Sequence, residues 1–157
     1  MSDSSSGADS PLPRRVALLL ALGHGGWIWW LSSQSFSSGG GPWWGFVGNS
    51  FHFALFGLLA LLLLESCRRA GGWSRAALLG VLIVTVSYGI IDEWHQSFTP
   101  GRSPDPADVC VDLLGAVAAI AFWWGVRGPG RFRTAFLRGL AIGVTALGFN
   151  ALRAFRG

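Results

Sequence analysis

Five of the eight acidic residues in this 157-residue chain, Asp92, Glu93, Asp105, Asp108 and Asp112, fall in one short stretch, with His95, Gln96 and Arg102 among them. Carboxylates beside an imidazole can accept a proton from water or a hydroxyl. Several carboxylates together can hold a hard cation, and a guanidinium can grip a phosphate through two parallel bonds. The run from Asp92 to Asp108 lies between two strongly apolar stretches. Ionisable groups at the edge of a bilayer are costly, so they mark a functional site by default.

The elements that must position these groups are helices in a membrane. The chain is 51% hydrophobic and 13% charged, too apolar for an ordinary soluble domain. Val16 to Leu31, Phe51 to Leu64, Ala76 to Ile91 and Val109 to Val126 each reach spanning length by borrowing flanking residues. The fold class expected is all-α, an integral membrane helical bundle with four transmembrane helices. The domains expected are a disordered cytoplasmic tail over 1–15, most of which lies outside the residues described below, the membrane domain over 16–126 and a basic C-terminal segment over 127–157. Trp27-Ile28-Trp29-Trp30 is unlike a signal-peptide cleavage site, so the first apolar stretch is read as a retained span.

Every basic residue is Arg. Arg14 and Arg15 precede the first span, Arg68, Arg69 and Arg75 separate the second and third, and Arg127, Arg131 and Arg133 follow the fourth. The two remaining loops hold only Arg102, so both termini are expected in the cytoplasm and the acidic stretch outside. Tryptophans gather at both inferred boundaries. The apolar run Gly139 to Leu152 is short for a span and is expected as an amphipathic helix on the cytoplasmic surface. The alternative is a fifth span, consistent with the small residues Gly139 and Gly143 four apart. Cys67 and Cys110 fall on opposite faces of this topology, so no bond between them is expected.

The acids divide by position. Asp92 and Glu93 end the third span, where the negative end of the helix dipole disfavours them. Helical spacing sets Asp92 beside His95 and Gln96, which reads as a site or as a solvated helix end. Asp105-Pro106-Ala107-Asp108 reads as a helix start, with Asp105 the cap and Asp108 in the first turn, serving the dipole alone or a ligand as well. Asp112, one turn deeper among Val111, Leu113 and Leu114, needs a partner. His52 enters at the same depth at the start of the second span and joins the acids or packs alone. His24, among glycines, reads as packing.

Ser32-Ser33-Gln34-Ser35, His52-Phe53, the run Asp92-Glu93-Trp94-His95-Gln96 with Phe98 and Pro100-Gly101-Arg102, and Asp108 followed by Asp112 and Gly115 together resemble the VanZ-like family of small bacterial membrane proteins. The resemblance covers roughly residues 16 to 126. It departs at Asn49 and Phe56, where the family commonly has Lys and Tyr, and at Asp112, often Asn. It implies a four-helix membrane core, a multi-pass location in the bacterial cytoplasmic membrane and, through the founding member, a link to teicoplanin tolerance.

The expected activity is on a phospholipid head group or a lipid-linked envelope intermediate, by an outward-facing pocket. There His52, Asp92, Glu93, His95, Gln96 and Asp112 form the catalytic set, Arg102 and Asp108 bind substrate, and Mg²⁺ or Ca²⁺ is the candidate cation. Within that set Asp92 or Glu93 with His95 is the expected general base. The expected partner is membrane lipid, not nucleic acid. The competing reading is a non-catalytic protein in which the same cluster binds lipid or glycopeptide or locks the helix ends together.

Overall fold

The computed structural model describes residues 12–35, 41–68, 73–127 and 132–154. They form five helices, α1 (Arg14–Ser32), α2 (Gly41–Ser66), α3 (Arg75–Gln96), α4 (Pro106–Arg127) and α5 (Phe132–Ala154), and no strand occurs among them. Helix starts follow local chemistry. The Ser74 hydroxyl accepts from the Ala77 N–H at 3.1 Å to begin α3. Asp105 Oδ1 accepts from the Ala107 N–H at 2.9 Å and Pro106 takes the first position of α4, as expected for a capped start.

Helix α2 is apolar on every side and packs against all four others, which is how such a helix satisfies its surface. One core cluster joins Ala21 and Ile28 of α1 to Phe56 and Leu59 of α2, with Tyr88 of α3 against it. A second joins Ala60, Leu64, Val81 and Ala116. Leu19, Leu22, Ile83, Ile90 and Val144 face outward and exposed, a surface that water does not favour and lipid does.

Three segments, Phe46–Ser66, Arg75–Gln96 and Pro106–Trp123, are long and apolar enough to cross a membrane. The expected first span, α1, is not among these three; its 19 residues open with Arg14 and Arg15 and include His24. His24 Nε2 donates to Leu55 O at 2.9 Å, the packing role expected of it.

The bundle has two distinct ends. At one, Arg14 Nε donates to Ser66 O at 3.1 Å and Trp73 Nε1 donates to Leu64 O at 2.9 Å. At the other lie the acids. Exposed Trp27, Trp29, Trp30, Trp43 and Trp94 surround the acidic end, as the belt predicts, while the side chains of Trp44 and Trp124 are outside the described residues. Free, exposed Cys67 lies on the loop leaving α2 and free, exposed Cys110 in the first turns of α4, at opposite ends.

The C-terminal segment, expected as a surface helix or a fifth span, packs as a helix against the bundle. Helix α5 runs antiparallel along α4 and also touches α2. Gly139 packs on Phe122 and Ala118, Gly143 on Phe53, Ala146 and Asn150 are buried, and Arg153 reaches Asp108. The start of α1 and the end of α5 therefore occupy opposite ends of the bundle. Arg153 finds its partners, Asp105 and Asp108, at the acidic end.

Candidate functional site at the acidic end of the bundle

The site begins with a backbone crossing. A methyl group on Gly115 of α4 would stand 2.1 Å from the carbonyl oxygen of Phe53 on α2, so only glycine permits this approach. Beside the crossing, His52 Nδ1 comes within 3.2 Å of Asp112 Oδ1. Asp112 is fully buried, and His52 is nearly so. The His52 ring stacks near-parallel on Phe56 with centroids 5.9 Å apart. Asp112 finds room because Gly89 of α3 lacks a side chain, since a methyl there would lie 2.7 Å from Asp112 Oδ2.

Helix α3 supplies the second half. Asp92 is fully buried and its Oδ2 accepts from Ser32 Oγ at 2.7 Å and from Gln96 Nε2 at 2.9 Å. Glu93 Oε2 accepts from the backbone N–H of Asp105 at 2.6 Å, and Oε1 from Gln96 Nε2 at 3.3 Å. Glu93 thereby ties the end of α3 to the start of α4. One donor atom each from His52, Asp92 and Glu93 lie within 4.8 Å of one another. Asp92 Oδ1 and Asp112 Oδ2 are buried with no hydrogen-bond partner. A buried carboxylate oxygen without a donor is expensive, and such atoms ask for a ligand.

The start of α4 is satisfied from an unexpected side. Arg153 of α5 donates to Asp108 Oδ1 at 2.7 Å and pairs with Asp105 through its other terminal nitrogen. Asp105 is thus both cap and ion-pair partner, and Asp108 is held by protein.

Two expected members lie apart from the His52, Asp92 and Glu93 cluster. His95 turns toward α1, stacked on Trp29 with centroids 3.7 Å apart, and its Nε2 meets Ser33 Oγ at 2.8 Å. Helical spacing allowed it to face Asp92, but the Trp29 face is the larger apolar contact for the ring. Arg102 spans from α3 to α1, its guanidinium reaching Gln34 O, Leu31 O and Gln96 Oε1 at 3.3 to 3.4 Å. It closes the unsatisfied carbonyl end of α1 and steadies Gln96.

Three residues of the site, and Asn150 of α5, have no role assigned from sequence. Ser32 was visible only as part of a serine-rich motif, and Gly89 carries no chemical signal. Arg153 was counted among the basic C-terminal residues. Asn150, fully buried on α5 with neither side-chain atom hydrogen-bonded, was detectable only as a polar residue in an apolar run.

An all-helical bundle with three helices apolar enough to cross a membrane, and with an imidazole and buried carboxylates converging from separate helices at one end, defines a polytopic membrane protein carrying a polar end-site. The chain belongs to the VanZ/LLP1 family, whose profile matches residues 10–127. The matched region takes in α1 to α4 and stops before α5, so Asn150 and Arg153 lie beyond it. No curated protein and no solved structure matches the chain.

Proposed function

We propose that this protein acts on the phosphate-bearing head group of a membrane lipid or a lipid-linked cell-envelope intermediate, as a hydrolase or head-group transferase. The observation that carries this reading is the convergence of His52, Asp92 and Glu93 beside buried, unpartnered carboxylate oxygens. His52 bonded to Asp112 has the make-up of a base and its orienting carboxylate. Asp112 holds Nδ1 as the protonated nitrogen, leaving Nε2 to take a proton from water or a hydroxyl. Glu93 is engaged through both oxygens and serves as an anchor, so the proton-accepting role passes to His52.

An apolar groove supports a lipid substrate. It runs between α2, α4 and α5 from Phe53 and Gly115, next to the His52–Asp112 pair, toward Leu61 and Phe122. The eight steps from Phe53 to Leu61 cover about 12 Å of helix, enough for much of an acyl chain whose head would then reach the polar end. Glycopeptide tolerance would follow from altered lipid-linked envelope precursors.

Protein in detergent, incubated with labelled phospholipids and undecaprenyl-linked substrates, tests the reading. Turnover is expected and should fall by about 10²- to 10⁴-fold in His52→Gln, the range for loss of a general base. Cys67→Ser, at the opposite end, should leave it unchanged. A wild-type rate in His52→Gln would sink the dyad. The non-catalytic reading draws on the same bonds, because Ser32 to Asp92, Glu93 to Asp105 and Arg153 to Asp108 all tie helix ends together. Saturable lipid or glycopeptide binding without turnover of any labelled substrate would select it.

The same proposal carries a topology. All five helices cross the bacterial cytoplasmic membrane, with the arginine-rich end at Arg14 and Arg68 inside and the acidic end outside. Arg153, neutralised by Asp105 and Asp108, adds no free positive charge outside, so we revise the expectation of two cytoplasmic ends and put the end of α5 outside. In intact cells, a cysteine at Ser103 should react with an impermeant reagent and one at Ser74 should not. The reverse pattern would move the site to the cytoplasm.

A further inference from the structure

We propose that His52, Asp92 and Glu93 coordinate a single divalent transition-metal ion of the Mn²⁺ or Zn²⁺ type, with Asp112 orienting the histidine. One donor atom from each, supplied by α2 and α3, lies within 4.8 Å of the others, so shifts of a few tenths of an ångström or more bring them to the roughly 3 to 4.4 Å that separates ligands on an ion with bonds of about 2.0 to 2.2 Å. Each donor is prepared differently. Asp92 is fully buried, its Oδ2 already takes hydrogen bonds from Ser32 and Gln96, and its Oδ1 has none. An anionic oxygen withdrawn from water with no donor is the atom a cation would satisfy. Glu93 Oε1 accepts only the 3.3 Å contact from Gln96, while the strong 2.6 Å bond from the Asp105 N–H falls on Oε2 and fixes the carboxylate plane.

The histidine makes the second, independent case. Metal-binding imidazoles commonly give their other ring N–H to a carboxylate, which fixes the tautomer and makes the coordinating nitrogen a better donor. His52 has this arrangement with Asp112 through Nδ1 at 3.2 Å, leaving Nε2 as the coordinating nitrogen. Gly89 keeps Asp112 in place for this role, because a side chain there would displace its carboxylate.

A nitrogen donor also changes the kind of cation. The carboxylates alone suggest Mg²⁺ or Ca²⁺, which favour all-oxygen surroundings, whereas an imidazole with two carboxylates suits Mn²⁺ or Zn²⁺. Three protein ligands leave coordination positions for oxygens of a lipid phosphate, so the site deepens the head-group reading and rests on it for its biological sense. With the ion bound, His52 Nε2 is a ligand and its lone pair cannot also take a proton, so the ion would replace His52 in activating the water or hydroxyl.

Purified protein stripped with chelator and titrated with Mn²⁺, followed by loss of the free-ion spin-resonance signal, is expected to bind one equivalent. Mg²⁺ should compete at least about ten-fold more weakly. His52→Gln and Asp92→Asn should each weaken Mn²⁺ binding by ten-fold or more, and Asp112→Asn by about 10- to 100-fold as the orienting carboxylate. His95→Gln, which alters the imidazole on the Trp29 face, should leave it unchanged. Retained helix content and elution volume separate lost binding from lost folding, and Asp92→Asn keeps an oxygen for Ser32 should His52→Gln prove unstable. No bound equivalent in folded wild type, unchanged affinity in His52→Gln and Asp92→Asn, or tighter binding of Mg²⁺ than Mn²⁺ would each overturn the proposal. Lipid turnover that persists in the stripped protein overturns the metal alone. Stoichiometric Mn²⁺ binding without turnover upholds the metal and removes the head-group reading.

Discussion

Gly115→Ala is expected to separate α2 from α4 and lower stability by about 3 kcal/mol, the upper part of the range for overpacking a close contact. The new methyl would stand 2.1 Å from the Phe53 carbonyl oxygen, 2.9 Å from its carbon and 3.0 Å from its Cα. All three are backbone atoms of a helix, so no rotamer change relieves the clash and the helix must shift as a body. A shift of even an ångström carries His52 away from Asp112, whose contact is already 3.2 Å, so site function should fail together with stability. The measurement is thermal unfolding in detergent beside Gly80→Ala, a helical position with nothing within 4 Å of the added methyl. That control should be neutral or gain up to about 1 kcal/mol from helix propensity. Equal melting temperatures for Gly115→Ala and wild type would mean that α2 and α4 do not meet at this crossing.

Arg153→Leu should cost about 3 kcal/mol, because it removes the cation facing two carboxylates and leaves Asp108, only 8% exposed, charged and unpaired. Asp105 can turn toward water, its side chain being 45% exposed, so most of the loss falls on Asp108. The last turns of α5 should loosen with it, which faster amide exchange from Ala146 to Ala154 would report. The pair Arg153→Leu with Asp108→Leu should recover most of the stability, since replacing a whole ion pair with apolar groups is commonly near neutral. If the double variant is as unstable as Arg153→Leu, the ion pair does not explain the cost. An unchanged melting temperature in Arg153→Leu would place α5 away from α4.

The helical membrane class, the positions of the elements and the crowding of acids at one end of the bundle were legible in the linear pattern. Apolar runs of spanning length, arginines at their flanks and an Asp-Pro helix start act locally, and such signals survive without knowledge of neighbours. The depth of His52 alongside Asp112 also followed from alternating helix directions. Partner choice was less legible. His95 and Gln96 are each within one turn of Asp92, yet only Gln96 turns to it while His95 stacks on Trp29. The sequence places both within reach and does not contain the competing surface of α1.

Helix α5 shows the limit most clearly. Its apolar run is short and carries Arg153, features that by themselves argue for the membrane surface. Asp105 and Asp108, forty-odd residues earlier, supply what the run itself does not contain, two partners for the guanidinium at the acidic end of the bundle. The sequence by itself therefore determined what kind of elements form and which residues are candidates for chemistry. Which of those residues meet was decided only in the tertiary structure, by the glycine crossing at Gly115, the vacancy at Gly89 and the reach of Arg153. A charge or a close contact takes its energy from what stands opposite, and what stands opposite is set by packing among distant parts of the chain.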